Sequence, residues 1–268
     1  MIQIHRIIPV LLLKGTELVK TKRFGSPRYV GDILNAMSIF NEKSVDEILV
    51  VDIEATRRGQ GPNIPLITDL ASECFMPMCY GGGIASLAQA QDVLSTGVEK
   101  VALNAAFWTD PDLVTRIAEA AGSQSVVVSI DAVAGPDGQM MVRNNATARP
   151  EDIRPWQAAV RAAELGAGEI FLQSVDRDGL RTGYDLELIR QVSDSVDVPV
   201  IAGSGADTVR DLASAIVLGG AQAAAAGAMF VFYGALQSVL ITMPDGLALS
   251  EAIHDLRKQQ EGRAHAGA

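Results

Sequence analysis

The chain has 268 residues, a formal net charge of −10, 48% hydrophobic residues and only 5% aromatic ones. A strongly negative chain with no visible basic cluster argues against binding to nucleic acid or to an acidic membrane surface. The length suits a single α/β barrel, and Val, Ile, Leu and Ala must build its core, as they do in buried parallel strands. We expect one domain over residues 1–258 and a disordered tail over 259–268, which are polar or small.

Short apolar runs alternate with segments of helical period along the chain. This order is typical of repeated strand–helix–strand units with a parallel sheet. Eight such runs predict a (β/α)8 TIM barrel. The predicted strands are 7–13, 47–53, 76–80, 100–103, 125–131, 169–173, 198–202 and 221–226. The predicted helices are 63–74, 87–95, 110–121, 150–165, 186–195, 209–218 and 249–257.

Three absences narrow the function further. No apolar run is long enough to span a bilayer and no cleavage signal is visible, so we expect a cytoplasmic protein. Cys74 and Cys79 are too close together for a disulfide framework or a zinc site, and we interpret both as buried and reduced. The only histidines are His5, His254 and His265. Their positions do not favour histidine catalysis or a metal site, and no cluster of residues implies a cofactor.

The two halves of the chain repeat one another. Asp52 corresponds to Asp176, Gly81 to Gly203 and Asn104 to Gly227, at offsets of 122 to 124 residues. A near-constant offset indicates two similar half-barrels. Each half would supply its own residues at the strand ends, so we expect two equivalent anion sites at one mouth.

Two glycine-rich turns are the candidate phosphate sites. Gly81-Gly82-Gly83 and Gly203-Ser204-Gly205 each follow a predicted strand and precede a helix. Glycine lets backbone N–H groups approach a phosphate closely, and the next helix begins there. A tight turn without a ligand is the alternative for either turn alone, but their half-barrel offset favours phosphate binding.

Acidic residues at strand ends are candidates for acid–base chemistry or substrate binding. These are Asp52, Asp131, Asp176 and Asp178. A carboxylate at a barrel mouth can transfer protons. For Asp52 and Asp176, a role in capping or anchoring a loop remains equally open.

Four charged residues stand at or just before strand starts, at the opposite end of the barrel. They are Arg6, Glu47, Lys100 and Glu169. Barrel bottoms normally serve stability, so a structural ring of ion pairs is one interpretation. The other is a gate.

Over nearly its whole length the chain resembles the cyclase subunit of imidazole glycerol phosphate synthase. In that family, ammonia from a glutaminase partner enters the barrel bottom and travels to an active site at the top. The resemblance implies that Arg6, Glu47, Lys100 and Glu169 are gate residues and that the chain binds a glutaminase subunit. The matching segments are 6–8, 51–53, 81–84, 100–104, 122–131, 166–170, 176–179 and 183–185.

The resemblance also shows a departure at the catalytic pair. The family uses two aspartates; the second corresponds to Asp131, but Leu12 stands at the first. Leucine cannot transfer a proton, so ordinary cyclase activity is doubtful. Lys20 matches the family's loop lysine, whereas Ala105 and Gly227 stand where hydroxyl residues are common. The implied phosphate and substrate residues are Gly82, Gly83, Asn104, Asp178, Gly179, Gly205, Gly227, Asp52 and Asp176.

Segments 11–14, 27–32 and 74–83 look more like a paralogous branch associated with O-antigen and nonulosonate sugars. That branch is linked to converting an acetamido group into an acetamidino group, with a glutaminase and an ATP-dependent N-acetyl sugar amidotransferase. The leading hypothesis is therefore an ammonia-channelling barrel subunit, with a phosphorylated or nucleotide-like small molecule at the mouth. The alternatives are a true cyclase and a non-catalytic scaffold that activates a glutaminase.

Overall fold

The computed structural model describes residues 5–43, 45–145, 147, 149–234 and 236–266. Eight parallel strands form a closed barrel, because the last strand pairs with the first and each of the others pairs with the next. This confirms the predicted (β/α)8 fold. The barrel strands are β1 Arg6–Lys14, β2 Ile48–Asp52, β3 Met78–Gly81, β4 Lys100–Leu103, β5 Val126–Ala134, β6 Glu169–Ser174, β7 Val200–Gly203 and β8 Ala223–Ala226.

Helices surround the barrel, and several begin at side-chain caps. Asn63, Ser86 and Asp185 each accept a hydrogen bond from the backbone N–H three residues later, which satisfies a donor that the first turn leaves free. The helices are α1 Ile33–Glu42, α2 Ile64–Glu73, α3 Leu87–Ser95, α4 Ala105–Thr109, α5 Asp112–Ala121, α6 Pro155–Glu164, α7 Leu186–Ser193, α8 Val209–Val217, α9 Ala228–Val231 and α10 Gly246–Ala266.

Two predicted boundaries are wrong. The segment predicted as helix 150–165 begins with a strand, Arg149–Glu151, which pairs with the strand Met140–Asn144, and α6 starts only at Pro155. Proline at the first helical position fits that later start. Helix α10 spans Gly246–Ala266, whereas the predicted helix ended at residue 257. Gln, Glu, Arg and Ala in this stretch have high helix propensity, which explains the continuation.

Strand alternation divides the apolar residues into two cores. One lies between the barrel and the helices; the other fills the barrel itself. Side chains at every second position point inward, so β1 sends Arg6, Ile8, Val10 and Leu12 to successive heights inside the barrel. The inner core has charged groups at its amino end and a cavity at its carboxyl end. Its buried members are Ile8, Val10, Leu49, Cys79, Ala102, Val127, Phe171, Ile201, Ala223 and Ala225.

Candidate functional site

A large cavity opens at the carboxyl ends of the strands, where TIM barrels carry their active sites. Its lining combines the two glycine-rich turns with side chains from both halves of the barrel. Most residues predicted for substrate binding or catalysis lie here. They are Leu12, Lys20, Asp52, Gly82, Gly83, Asn104, Asp131, Asp178, Gly179, Gly205 and Gly227.

Asp131 is the buried acid of this cavity. It is 1% exposed, and the other acidic lining residues among those described, Asp52, Glu54 and Asp178, are not fully buried. Three carboxamides donate to it: Asn104 Nδ2 to Oδ2 at 2.9 Å, Gln173 Nε2 to Oδ1 at 3.0 Å, and Asn145 Nδ2 to Oδ2. Burial raises the pKa of Asp131 to about 6, although these hydrogen bonds lower it in part. A carboxyl that titrates near neutrality can act as acid or base.

Lys20 reaches into the same mouth from the short strand Glu17–Lys20, which pairs with β1. Its ammonium donates to the carbonyl oxygen of Val10 and lies where a side chain on Gly227 would begin. Burial lowers the pKa of Lys20 to about 8, and the charge of Asp178 raises it in part. The absence of a Cβ at Gly227 therefore makes room for a buried amine.

Leu12 lies in the cavity at the position that the resemblance assigns to the first aspartate. It is partly buried, packs on the inner core and pairs in register with Val51 of β2. Leu12 therefore contributes an apolar side chain to the cavity wall, whereas the region around Asp131 is polar. Proton transfer from this side would need a different group.

The two glycine-rich turns adopt related left-handed conformations. Gly82 and Gly83 have φ of 128° and 71°, while Ser204 and Gly205 have φ of 72° and 103°. A Cβ on Gly82 would lie 2.7 Å from the Asp52 carbonyl oxygen, and one on Gly205 would collide with the Gly183 carbonyl. These positions require glycine for the turn itself. Phosphate binding at either turn stays a prediction.

Two other aspartates, Asp52 and Asp176, anchor loops through backbone N–H groups. Asp52 Oδ1 accepts from the N–H groups of Glu54 and Ala55, at 2.9 and 3.0 Å, while Asp52 also lines the cavity. Asp176 accepts from the Ala134 N–H at 2.8 Å and is not among the cavity-lining residues. The structure therefore gives Asp52 and Asp176 the loop-anchoring contacts that were one of the two open interpretations.

Asp178 fixes the loop that follows Lys20. Its Oδ2 accepts from Thr21 Oγ1 at 2.7 Å and from the Phe24 N–H at 3.2 Å. Burial raises the pKa of Asp178, and the hydrogen bonds from Thr21 and Phe24 oppose that shift. Asp178 and Lys20 are thus connected through one short loop.

At the other end of the barrel the four predicted charges form a closed ring. Arg6 contacts Glu47 and Glu169 at 2.5 Å each, and Lys100 Nζ contacts the same two carboxylates at 2.9 and 2.8 Å. Burial lowers the pKa of Lys100, but hydrogen bonds and attraction to Glu169 and Glu47 outweigh this and raise it. The four side chains close the amino end of the inner core.

Comparisons with known proteins agree with this geometry. The sequence profile of a family described as "Histidine biosynthesis protein" matches residues 6–237. The chain belongs to this family. It is similar to a Pseudomonas aeruginosa protein provisionally named imidazole glycerol phosphate synthase subunit hisF2, with 48% identity over 90% of this chain and 96% of the relative. It is also similar to imidazole glycerol phosphate synthase subunit HisF of Chlorobaculum parvum, with 39% identity over 85% and 90% of the two chains.

The histidine-biosynthesis family membership and the barrel fix the class of the molecule as a cyclase-subunit-like barrel. Two residues that contact Asp131 were missed in the sequence: Asn145 and Gln173. Gln173 could have been found, because it lies four residues after Glu169 on the same inward face of β6. Asn145 follows a hairpin, 14 residues after Asp131 in the chain, and no local pattern indicates its position.

Two further properties concern the part of the chain that the structure describes. No helix in that part of the chain is long and apolar enough to cross a membrane. The same residues contain no group of three or more His, Cys, Asp and Glu side chains placed to hold a metal ion. Cys74 and Cys79 are both free thiols; Cys79 is buried as expected, whereas Cys74 is only partly buried, because it lies in the loop after α2.

Proposed function

We propose that this chain is the barrel subunit of a glutamine-dependent amidotransferase assembly. A glutaminase subunit would dock at the barrel bottom and release ammonia at the ring of Arg6, Glu47, Lys100 and Glu169. The ammonia would pass through the inner core to the mouth at Asp131. An ATP-dependent N-acetyl sugar amidotransferase would then use it to convert an acetamido group into an acetamidino group in O-antigen or nonulosonate biosynthesis.

One contrast carries this proposal: a complete ion-pair ring at the bottom and an incomplete acid–base pair at the top. The ring has all four of its ion pairs, whereas Leu12 lies in the cavity where the family's first aspartate is expected. Ring closure in the family requires both aspartates, and losing one member of a cooperating pair typically costs several orders of magnitude in rate. An ammonia route without a cyclase fits this combination.

The alternative function is a true cyclase with a rearranged acid–base pair. It would combine the ribulosyl formimino carboxamide ribotide with ammonia to give imidazole glycerol phosphate and aminoimidazole carboxamide ribotide. The observation that favours it is Asp131, whose pKa of about 6 suits proton transfer, with Lys20 at about 8 in the same mouth. In this case Asp131 would act alone, or with Asp52 or Asp176 in place of the missing aspartate; of these two, Asp52 lines the cavity.

The deciding experiment measures imidazole glycerol phosphate formation from the ribotide with an ammonium salt. The natural protein is compared with Leu12→Asp and with Leu12→Asn. Asparagine has nearly the same shape as aspartate but cannot transfer a proton. No turnover by the natural protein or Leu12→Asn, with turnover gained by Leu12→Asp, supports the channelling proposal. Robust turnover by the natural protein would establish the cyclase instead.

A third possibility, a scaffold that only activates a glutaminase, is separated by two further variants. The assay follows glutamine hydrolysis and amidine formation in the assembled system. If the barrel only activates its partner, Asp131→Asn is silent while Lys100→Ala is not. If the mouth handles ammonia, Asp131→Asn reduces amidine formation and leaves glutamine hydrolysis unchanged.

A further inference from the structure

The three carboxamides around Asp131, namely Asn104, Asn145 and Gln173, form what we call the carboxamide cage. We propose that Asn104, Asn145 and Asp131 bind ammonia or the ammonium ion through its N–H donors, at the point where the inner core opens into the cavity. The inference rests on the proposed function, because ammonia is the molecule that such a barrel would carry.

Asn104 presents a carbonyl oxygen that no protein donor satisfies. Its Nδ2 donates both to Asp131 Oδ2 at 2.9 Å and to the Ser129 carbonyl oxygen at 3.0 Å. Turning the amide over would place Oδ1 against two acceptors, so this orientation is fixed. Oδ1 is buried and has no hydrogen-bond partner among the described residues. Native structures rarely leave a buried acceptor unpaired.

Asn145, which directly follows the strand Met140–Asn144, makes the same kind of contact with Asp131. Its Nδ2 donates to the same Asp131 oxygen, and its Oδ1 is also buried without a partner in the described part of the chain. Both amides therefore donate from Nδ2 to the Asp131 carboxylate, and the Oδ1 of each remains without a donor among the residues described. The third amide, Gln173, uses Nε2 on the other carboxylate oxygen.

The groups left over identify the class of ligand. Two amide oxygens and the remaining lone pair of Asp131 Oδ1 are all acceptors, so the ligand must be rich in N–H or O–H donors. A phosphate or other anion would be repelled by the carboxylate. A sugar hydroxyl offers one hydrogen, whereas ammonia offers three and ammonium four. The site thus suits a small nitrogen donor.

The location agrees with delivery from below. Ser129 lines the cavity next to Asn104 and pairs in register with Phe171, which lines the cavity as well, and Val127 of the inner core lies one inward position deeper. That core extends to the layer above the ring of Arg6, Glu47, Lys100 and Glu169. A molecule that leaves the apolar interior on this side meets the carboxamide cage first.

The test is a side-chain NMR titration of the full-length protein with ammonium chloride, at constant ionic strength against potassium chloride. We expect saturable shifts of the NH2 signals of Asn104 and Asn145. We also expect a lower apparent pKa for Asp131, since a bound cation favours the carboxylate. Equal shifts with potassium chloride alone would overturn the proposal, because they would reveal a general cation site.

Variants locate the site, and acetamidine hydrochloride tests its ligand. Asn145→Leu should weaken ammonium binding at least tenfold, Asn145→Ser should weaken it less because an acceptor remains, and the exposed Gln191→Leu should change nothing. Unchanged binding in both Asn145 variants contradicts the inference, as does a response to acetamidinium with none to ammonium. Ammonia delivery by a glutaminase partner is measured separately, so the proposed function can survive a negative titration.

Discussion

The two ends of the barrel bury charged groups in opposite ways. At the bottom, Arg6 and Lys100 each contact both Glu47 and Glu169, so every charge has two opposite partners. At the mouth, Asp131 is surrounded by neutral amides, and Lys20 donates to a backbone carbonyl. The pKa values of Arg6 and Lys100 are raised, which keeps them charged, whereas those of Asp131 and Lys20 move towards neutrality.

This difference separates stabilising charges from reactive ones. A buried ion surrounded by opposite charges is strongly held in its charged form, and removing one partner leaves the others uncompensated. When a buried ion has only neutral hydrogen-bond partners, desolvation shifts its pKa so that the neutral form is favoured. Such shifted pKa values are common in groups that transfer protons. The following substitutions test this contrast, starting with the largest expected effect.

Replacing Lys100 should have the largest effect on stability. Lys100→Met leaves Glu47 and Glu169 facing one another with Arg6 as their only remaining partner in the ring. We expect a loss of roughly 3–5 kcal/mol in the free energy of unfolding, measured by urea denaturation at pH 7. The exposed Lys43→Met is the matched control and should stay within about 0.5 kcal/mol. A loss of that small size at Lys100 would show that the ring is not a stabilising unit.

Replacing Lys20 should raise the free energy of unfolding at neutral pH, whereas replacing Lys100 should lower it. Its folded pKa of about 8 lies below the ordinary 10.5, so the unfolded chain binds more protons between these values and stability rises with pH. The natural protein should gain about 3 kcal/mol between pH 8 and pH 10.5 through this group, and Lys20→Met should not. The measurement is the difference between the two urea curves across that range. Parallel pH profiles would mean that Lys20 is not buried as an amine.

Asp131 should produce a slightly smaller effect in acid. Its folded pKa of about 6 lies above the ordinary 3.8, so the folded protein holds the proton longer and stability falls as pH rises between these values. The natural protein should lose about 2 kcal/mol through this group between pH 4 and pH 6, whereas Asp131→Asn should not. A loss of the same size in Asp131→Asn would assign the effect to another carboxyl.

The barrel and both ends of the inner core could be predicted from the sequence, because strand alternation fixes which residues point inward. All eight strands were predicted, as were the ring residues and Asp131. Helix α1 was missed, together with the hairpin formed by Glu17–Lys20 and Arg28–Asp32. These segments lie in the long connection after β1, where tertiary packing decides the structure. Asn145 was missed for the same reason, since only the folded hairpin after β5 brings it to Asp131.

The smallest predicted effect on stability is that of replacing Gly227, and this substitution tests what allows Lys20 to be buried. Gly227 has a φ of −116°, outside the left-handed region that favours glycine, and the nearest obstacle to a Cβ is the flexible end of Lys20, with the Val10 carbonyl oxygen 3.3 Å away. Gly227→Ser should therefore cost less than about 1 kcal/mol of stability. It should also displace the ammonium towards solvent and raise the pKa of Lys20, as measured by the pH dependence of lysine acylation. Gly83→Ser is the contrasting control, because its φ of 71° and the Gln60 carbonyl 2.6 Å from the new Cβ forbid a side chain. If Gly227→Ser leaves the pKa of Lys20 near 8, the lysine is held by its contact with Val10, and the glycine is not what permits its burial.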